Sequence, residues 1–143
     1  MTTKQDNFFL QKVTDDFSFL EEWEDRYAYL IDLGKKLEPL PESAYRDVNK
    51  VTGCMSQVWL LIEKGEGGKI ILKGDSDAVI VKGLIALLIG IYADQGASQI
   101  ARLDLEEIFT QLGLKDHLSP SRRNGFFSMV AKIKQTAQSL ASG

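Results

Sequence analysis

The stretch Val58-Trp59-Leu60-Leu61-Ile62-Glu63-Lys64-Gly65-Glu66-Gly67-Gly68-Lys69-Ile70-Ile71-Leu72-Lys73 decides the fold. Its first apolar run, rich in the residues that favour a pleated surface, predicts a strand from Ser56 to Glu63. Gly65-Glu66-Gly67-Gly68 turns the chain, and Lys69 to Lys73, with Ile70-Ile71-Leu72 inside, returns as a second strand. The expectation is an antiparallel hairpin.

Working downstream, Asp75-Ser76-Asp77 offers N-cap oxygens to a helix from about Ala78 to Ala93. That helix is apolar almost all round, with Lys82 its only charge. It is shorter than the ~20 residues needed to cross a bilayer, so it reads as a buried central helix that Gly96 stops. Asp104 caps a short helix from Leu105 to Leu112, and Gly113 supplies a left-handed exit. Ser119-Pro120 starts a last helix carrying Phe126, Val130, Ile133, Ala137 and Leu140 on one face. Upstream, Asp15 or Asp16 caps one helix with Leu20, Trp23, Tyr27, Leu30 and Ile31 along a face, ended by Pro39 and Pro41. Trp23, Tyr27 and Trp59 read as core aromatics. No repeat or linker interrupts the pattern. The expected fold is one α+β domain over residues 1–143, a small antiparallel sheet packed with helices.

The chain has 143 residues, a formal charge of −3 and an isoelectric point near 5.2, so it offers no basic field for nucleic acid or an anionic membrane. Its first residues, Met1-Thr2-Thr3-Lys4-Gln5-Asp6, carry no apolar signal region. One cysteine closes no internal disulfide and suits a reducing compartment, so the expected location is cytoplasmic. One Cys and one His cannot fill a structural zinc site either, and neither metal nor cofactor is expected.

That cysteine, Cys54, sits in Val51-Thr52-Gly53-Cys54-Met55-Ser56-Gln57-Val58-Trp59, a polar, Gly-flanked loop running into the first strand. It is either a small buried hydrophobe or a reactive thiol working alone, and its setting favours the second. Several segments in order resemble the SufE family of sulfur acceptors: Gly53-Cys54-x-Ser56-x-Val58-Trp59, Leu72-x-Gly74-Asp75-Ser76-Asp77-Ala78, Ile80-Val81-Lys82-Gly83-Leu84, and Leu118-Ser119-Pro120-Ser121-Arg122. Trp23-Glu24-x-x-Tyr27 and Leu33-Gly34 extend the resemblance, which runs from about Phe17 to Leu140.

The resemblance implies an α+β fold shared with iron–sulfur scaffold proteins. Those scaffolds assemble clusters on three cysteines, and one cysteine excludes that role here. It also implies that Cys54 accepts sulfane sulfur from a cysteine desulfurase (SufS-like or CsdA-like) and carries it as a persulfide to a SufBCD-like scaffold complex. Pyridoxal phosphate would belong to the desulfurase alone, and the protein would have no turnover of its own. A homodimer is compatible with the sequence.

Gly53, Met55, Ser56 and Gln57 are the expected loop residues around Cys54, and Met55 stands where the family often has a polar residue. Asp77 belongs to a group of two acids and a hydroxyl, more than one cap needs, and the resemblance implies that it helps fix the cysteine loop. Arg122 and Arg123 fall in the first turn of the last helix, where the macrodipole disfavours cations. The Ser-Pro-Ser-Arg match implies a functional Arg122, pairing with an acidic partner or steadying a thiolate, while Arg123 reads as a solvated charge. The rival reading is a Cys–His thiol hydrolase using Cys54 and His117. Against it, Cys54 precedes a strand rather than opening a helix.

Overall fold

The computed structural model describes residues 7–53 and 56–142, so Cys54 and Met55 lie outside the described residues. The hairpin forms where expected. β1 (Val58–Lys64) pairs antiparallel with β2 (Ile70–Ser76), in a register that sets Val58 opposite Ser76 and Lys64 opposite Ile70. Gly67 and Gly68 take positive φ in the turn, a region closed to most side chains.

Six α-helices surround this ribbon among the described residues: α1 (Phe8–Phe19), α2 (Trp23–Lys35), α3 (Val79–Tyr92), α4 (Ala97–Arg102), α5 (Leu105–Gln111) and α6 (Pro120–Ser142). α3 is the central helix, packed between α2 and β2 and buried at nine positions from Ile80 to Tyr92. Each fully buried Leu or Ile there contributes roughly 1.5–3 kcal/mol relative to exposure. α6 crosses β1 and α4, burying Phe126, Met129, Val130, Ile133 and Ala137.

α2 and α3 approach unusually closely, at two glycines. A Cβ on Gly83 would stand 2.4 Å from the Leu30 carbonyl oxygen, and one on Gly34 would stand 2.7 Å from Gly83 N. No side chain fits between these backbones.

Four expectations need correction. The N-terminal region is two helices rather than one, and Asp15 and Asp16 lie inside the first. Asn7 caps α1, its Oδ1 accepting the Leu10 amide. The break at Leu20 is stabilised by Arg26, whose Nε donates to the Leu20 carbonyl at 2.7 Å while its guanidinium lies over Phe17 and Trp23.

Asp75, Ser76 and Asp77 do not cap α3. β2 runs on through Ser76, and the N-cap position is Ala78, with no side-chain bond. Gly96 does not stop α3, which ends at Tyr92 and turns through Asp94 at φ 61°; Gly96 instead precedes α4, which the sequence reading missed. Trp59 is only half-buried and meets Tyr45 edge-on at 5.1 Å, away from the core that Trp23 and Tyr27 join.

Candidate functional site

The loop that carries Cys54 is closed at its base by backbone pairing. Val51 N–H donates to the Val58 carbonyl at 2.9 Å, and Lys50 bridges Trp59 just beyond. On its first limb, Gly53 takes φ +88° against α6, where a Cβ would stand 2.8 Å from Ser128 Oγ. On its second limb, Gln57 and Asp77 are joined twice. The Gln57 N–H donates to Asp77 Oδ1 at 3.0 Å, and the Asp77 N–H donates to the Gln57 carbonyl at 3.3 Å. The surplus acid of the Asp-Ser-Asp run therefore holds the exit of the loop. Ser76 Oγ, for its part, accepts the Ala78 N–H at 3.2 Å.

Ser56 reaches a cavity of about 100 Å³ between α3 and α6. Val81, Leu84, Phe126 and Met129 form its apolar wall, with Ser121 and Arg122 on its rim. Arg122 also borders a second, shallower depression of about 310 Å³ shared with Tyr27, Ile31, Ile80 and Leu118. Among the described residues no partner is found for the Arg122 guanidinium, whereas Arg123 Nη1 donates to the Lys115 carbonyl at 3.2 Å. The two neighbours thus differ: Arg123 ties down the turn before α6, and Arg122 faces the hollows. Ser119 caps α6, its Oγ accepting the Arg122 N–H at 3.3 Å, so the positive end of a long helix dipole opens beside the same cavity.

A third anchor was not visible in the sequence. Tyr45 Oη donates to Asp75 Oδ2 at 2.6 Å and its ring meets Trp59, so it grips both members of the cross-strand pair Trp59–Asp75. Burial pushes the Asp75 carboxyl upward. The hydrogen bonds from Tyr45 and the Ser76 N–H, with the Lys82 ammonium at 3.5 Å, hold it below the ordinary carboxylate value. The same bond to Asp75 raises the Tyr45 phenol. Tyr45 lies in a polar connector whose composition gives no sign of this contact.

His117 is engaged elsewhere. Its ring stacks on Trp23 at 3.9 Å and 10°, its Nδ1 lies 2.9 Å from the Gly113 carbonyl, and its own carbonyl accepts from Tyr27 Oη. These contacts join α2 to the turn after α5.

Comparison with known proteins agrees with this architecture. Residues 11–137 match the SufE family, described as "Fe-S metabolism associated domain". An uncharacterized SufE-like protein of Rhizobium meliloti (strain 1021) is 46% identical over 132 residues, covering 90% of this chain and 94% of the relative. One from Rhizobium etli is 47% identical over 132 residues, covering 90% and 89%. The solution structure of a hypothetical protein from Thermus thermophilus superposes with a TM-score of 0.78 at 19% identity, over 94% of this chain and 97% of that one, which shows the shared fold. No helix among the described residues is long and apolar enough to cross a membrane. With the family pattern spanning residues 11–137 and near relatives matching over about nine-tenths of the chain, the chain belongs to the SufE family, whose place is sulfur transfer in iron–sulfur metabolism beside a cysteine desulfurase.

Proposed function

We propose that this protein accepts sulfane sulfur on Cys54, carries it as a persulfide, and in doing so stimulates a cysteine desulfurase. The observation that carries the reading is that the sequence segment holding the one cysteine is closed at its base by Val51 and Val58 and held at Gln57 by Asp77, while Ser56 on its exit limb lines an apolar cavity rimmed by Arg122. The Cys54 thiolate attacks the outer sulfur of the desulfurase persulfide, forming a new S–S bond as the donor's S–S bond breaks. The desulfurase cysteine leaves as a thiolate, and no net oxidation occurs. One nucleophile suffices for this exchange, with no metal and no cofactor of the protein's own, and no independent turnover is expected.

The surroundings suit both ends of the task. The wall of Val81, Leu84, Phe126 and Met129 shields a bound sulfur from water and from other thiols. Arg122 and the N-terminal end of α6 favour an anionic sulfur at the rim. An uncovered Arg122 also offers a pairing group to an acidic patch on the desulfurase. The sulfur then passes to a scaffold complex by a second exchange of the same kind. The Cys–His hydrolase gains no support, because the His117 ring is committed to Trp23 and the Gly113 carbonyl.

The test is incubation with a pyridoxal-phosphate cysteine desulfurase and free cysteine, followed by peptide mapping. The expected result is one added sulfur on the Gly53-Cys54 peptide and faster alanine release. If Cys54→Ser stimulates the desulfurase as well as the wild type does, the carrier mechanism fails.

A further inference from the structure

The connector that leads into the cysteine loop is poorly anchored by burial. From Pro41 to Lys50 the chain makes two short 3₁₀ turns, Glu42–Ala44 and Asp47–Asn49, and buries only Ala44, while Val48 stands 73% exposed. Hydrophobic burial therefore does little to keep it in place. Asn49 Nδ2 donates to the Ala44 carbonyl at 2.9 Å, which shapes the connector without fixing it to another element. Lys132 Nζ on α6 reaches the Val48 carbonyl at 3.4 Å, a long bond. Tyr45 makes the close contacts. Its Oη donates to Asp75 Oδ2 at 2.6 Å, a charge-assisted bond, and accepts the Leu40 N–H at 3.2 Å. Its ring stands edge-on to Trp59 at 5.1 Å.

These contacts fall where both limbs of the loop can be held at once. Lys50 and Val51, at the end of the connector, pair with Trp59 and Val58. Trp59 is also the residue that the Tyr45 ring packs against, so the Lys50 bridge and the ring share one strand position. Across the ribbon from Trp59 stands Asp75, two residues before the Asp77 that holds Gln57. Separating Val51 from Val58 and Lys50 from Trp59 means pulling the connector away from β1. Tyr45 opposes that movement from six residues upstream of Val51. We infer that Tyr45 is a positioning residue for Cys54: it keeps the connector on the ribbon, holds the loop closed at rest, and yields when the desulfurase engages the thiol on an opened loop. The last step rests on the carrier reading proposed above; the closure does not. A partner that binds only the open form binds more weakly in proportion to how rarely that form is populated, so loosening Tyr45 strengthens its apparent binding.

Iodoacetamide labelling of Cys54 in the free protein, read by mass spectrometry, tests the closure. Tyr45→Phe keeps the ring and loses the bond to Asp75, so the labelling rate should rise roughly two- to tenfold, the weight of one net hydrogen bond. Tyr45→Ala loses the ring contact as well and should exceed that. In an Asp75→Ala background Tyr45→Phe should add little, because its acceptor is already gone. Tyr29→Phe controls for plain loss of stability: Tyr29 Oη donates to Asp16 Oδ2 at 2.6 Å, between α1 and α2, and losing that bond should leave the rate unchanged. With the desulfurase, Tyr45→Phe should reach half-maximal stimulation at a lower concentration than the wild type, with the maximum unchanged. A merely structural loss would not move half-saturation in that direction. An unchanged labelling rate in Tyr45→Phe overturns the inference. So does an equal rise in Tyr29→Phe, or a half-saturation that stays or rises. Stimulation by Cys54→Ser equal to the wild type would sink the carrier reading by itself, and the labelling series, which needs no desulfurase, would still decide for or against Tyr45.

Discussion

Asp77 and Gln57 hold each other twice, carboxylate to amide and amide to carbonyl, across the point where the cysteine loop enters β1. The carboxylate is exposed, so its bond is worth no more than about 1 kcal/mol to the fold. Its larger effect is on the loop. Asp77→Ala should lower the melting temperature by only a few degrees. It should raise the alkylation rate of Cys54 in the free protein several-fold, measured with iodoacetamide by mass spectrometry. An unchanged rate would show that the Asp77–Gln57 bonds do not restrain the loop.

Arg122 and Arg123 should separate cleanly. Arg122→Ala removes a cation from the first turn of α6, where the dipole disfavours it by about 0.3–1 kcal/mol, so stability should hold or rise slightly. Desulfurase stimulation should fall, and the wild-type stimulation should weaken as salt is added. Arg123→Ala loses the bond to the Lys115 carbonyl and should cost about 1 kcal/mol while leaving sulfur transfer near normal. Stability and transfer, measured on both variants, decide between the assignments. The reverse pattern would make Arg122 the structural member.

His117→Gln addresses the thiol-hydrolase alternative. Loss of the stack on Trp23 should cost on the order of 1 kcal/mol in thermal unfolding. Persulfide transfer at Cys54, assayed by labelled sulfur, should stay within twofold of the wild type. A collapse of transfer with stability preserved would return His117 to the chemistry.

The Asp75 carboxyl makes a pH-dependent contribution with a defined sign. Its pKa is lowered in the fold, so the unfolded chain binds the proton more readily. The stabilisation is therefore complete above the ordinary carboxylate pKa near 4, and is lost as pH falls through the lower folded value. Asp75→Asn should cost about 1 kcal/mol at pH 7, and its unfolding curve should converge with the wild type at the acid end. Tyr45→Phe should remove part of the same difference, because Tyr45 supplies one of the bonds. Curves that stay parallel down to acid pH would contradict the assignment.

Gly83→Ala probes the α2–α3 contact. The added methyl meets the backbone of Leu30, which cannot step aside as a side-chain tip would. Overpacking of this kind costs typically 1–3 kcal/mol, so denaturant midpoints should fall markedly. A neutral substitution would mean that the two helices can part.

Much of this architecture was legible because its signals are local. The hairpin is written in two apolar runs around glycines, α6 in Ser119-Pro120 and its periodic apolar face, and α5 in Asp104 and Gly113. The division between α1 and α2 was not legible, since Leu20-Glu21-Glu22 holds neither Gly nor Pro. What stabilises that break is Arg26, a side chain six residues on that answers the free carbonyl. Asp75-Ser76-Asp77 misled for a related reason. Good capping residues were spent on Tyr45 and Gln57, partners that only the folded chain brings near. The loop residues of the candidate site could be picked out by counting one cysteine. The cavity wall could not, because Val81 and Leu84 on α3 and Phe126 and Met129 on α6 are ordinary core residues until packing sets them face to face.

The Val51–Val58 pair at the base of the loop also sets a tether length. Cys54 follows Val51 by three residues and precedes Val58 by four. An extended chain advances at most about 3.3–3.6 Å per residue, so the Cys54 Cα stays within roughly 10 Å of Val51 for as long as that pair holds. A thiol on so short a line cannot search a deep channel. On the sulfur-carrier reading proposed above, a donor or recipient would have to bring its own reactive atom close to this loop, or else unfasten Val51 from Val58 first.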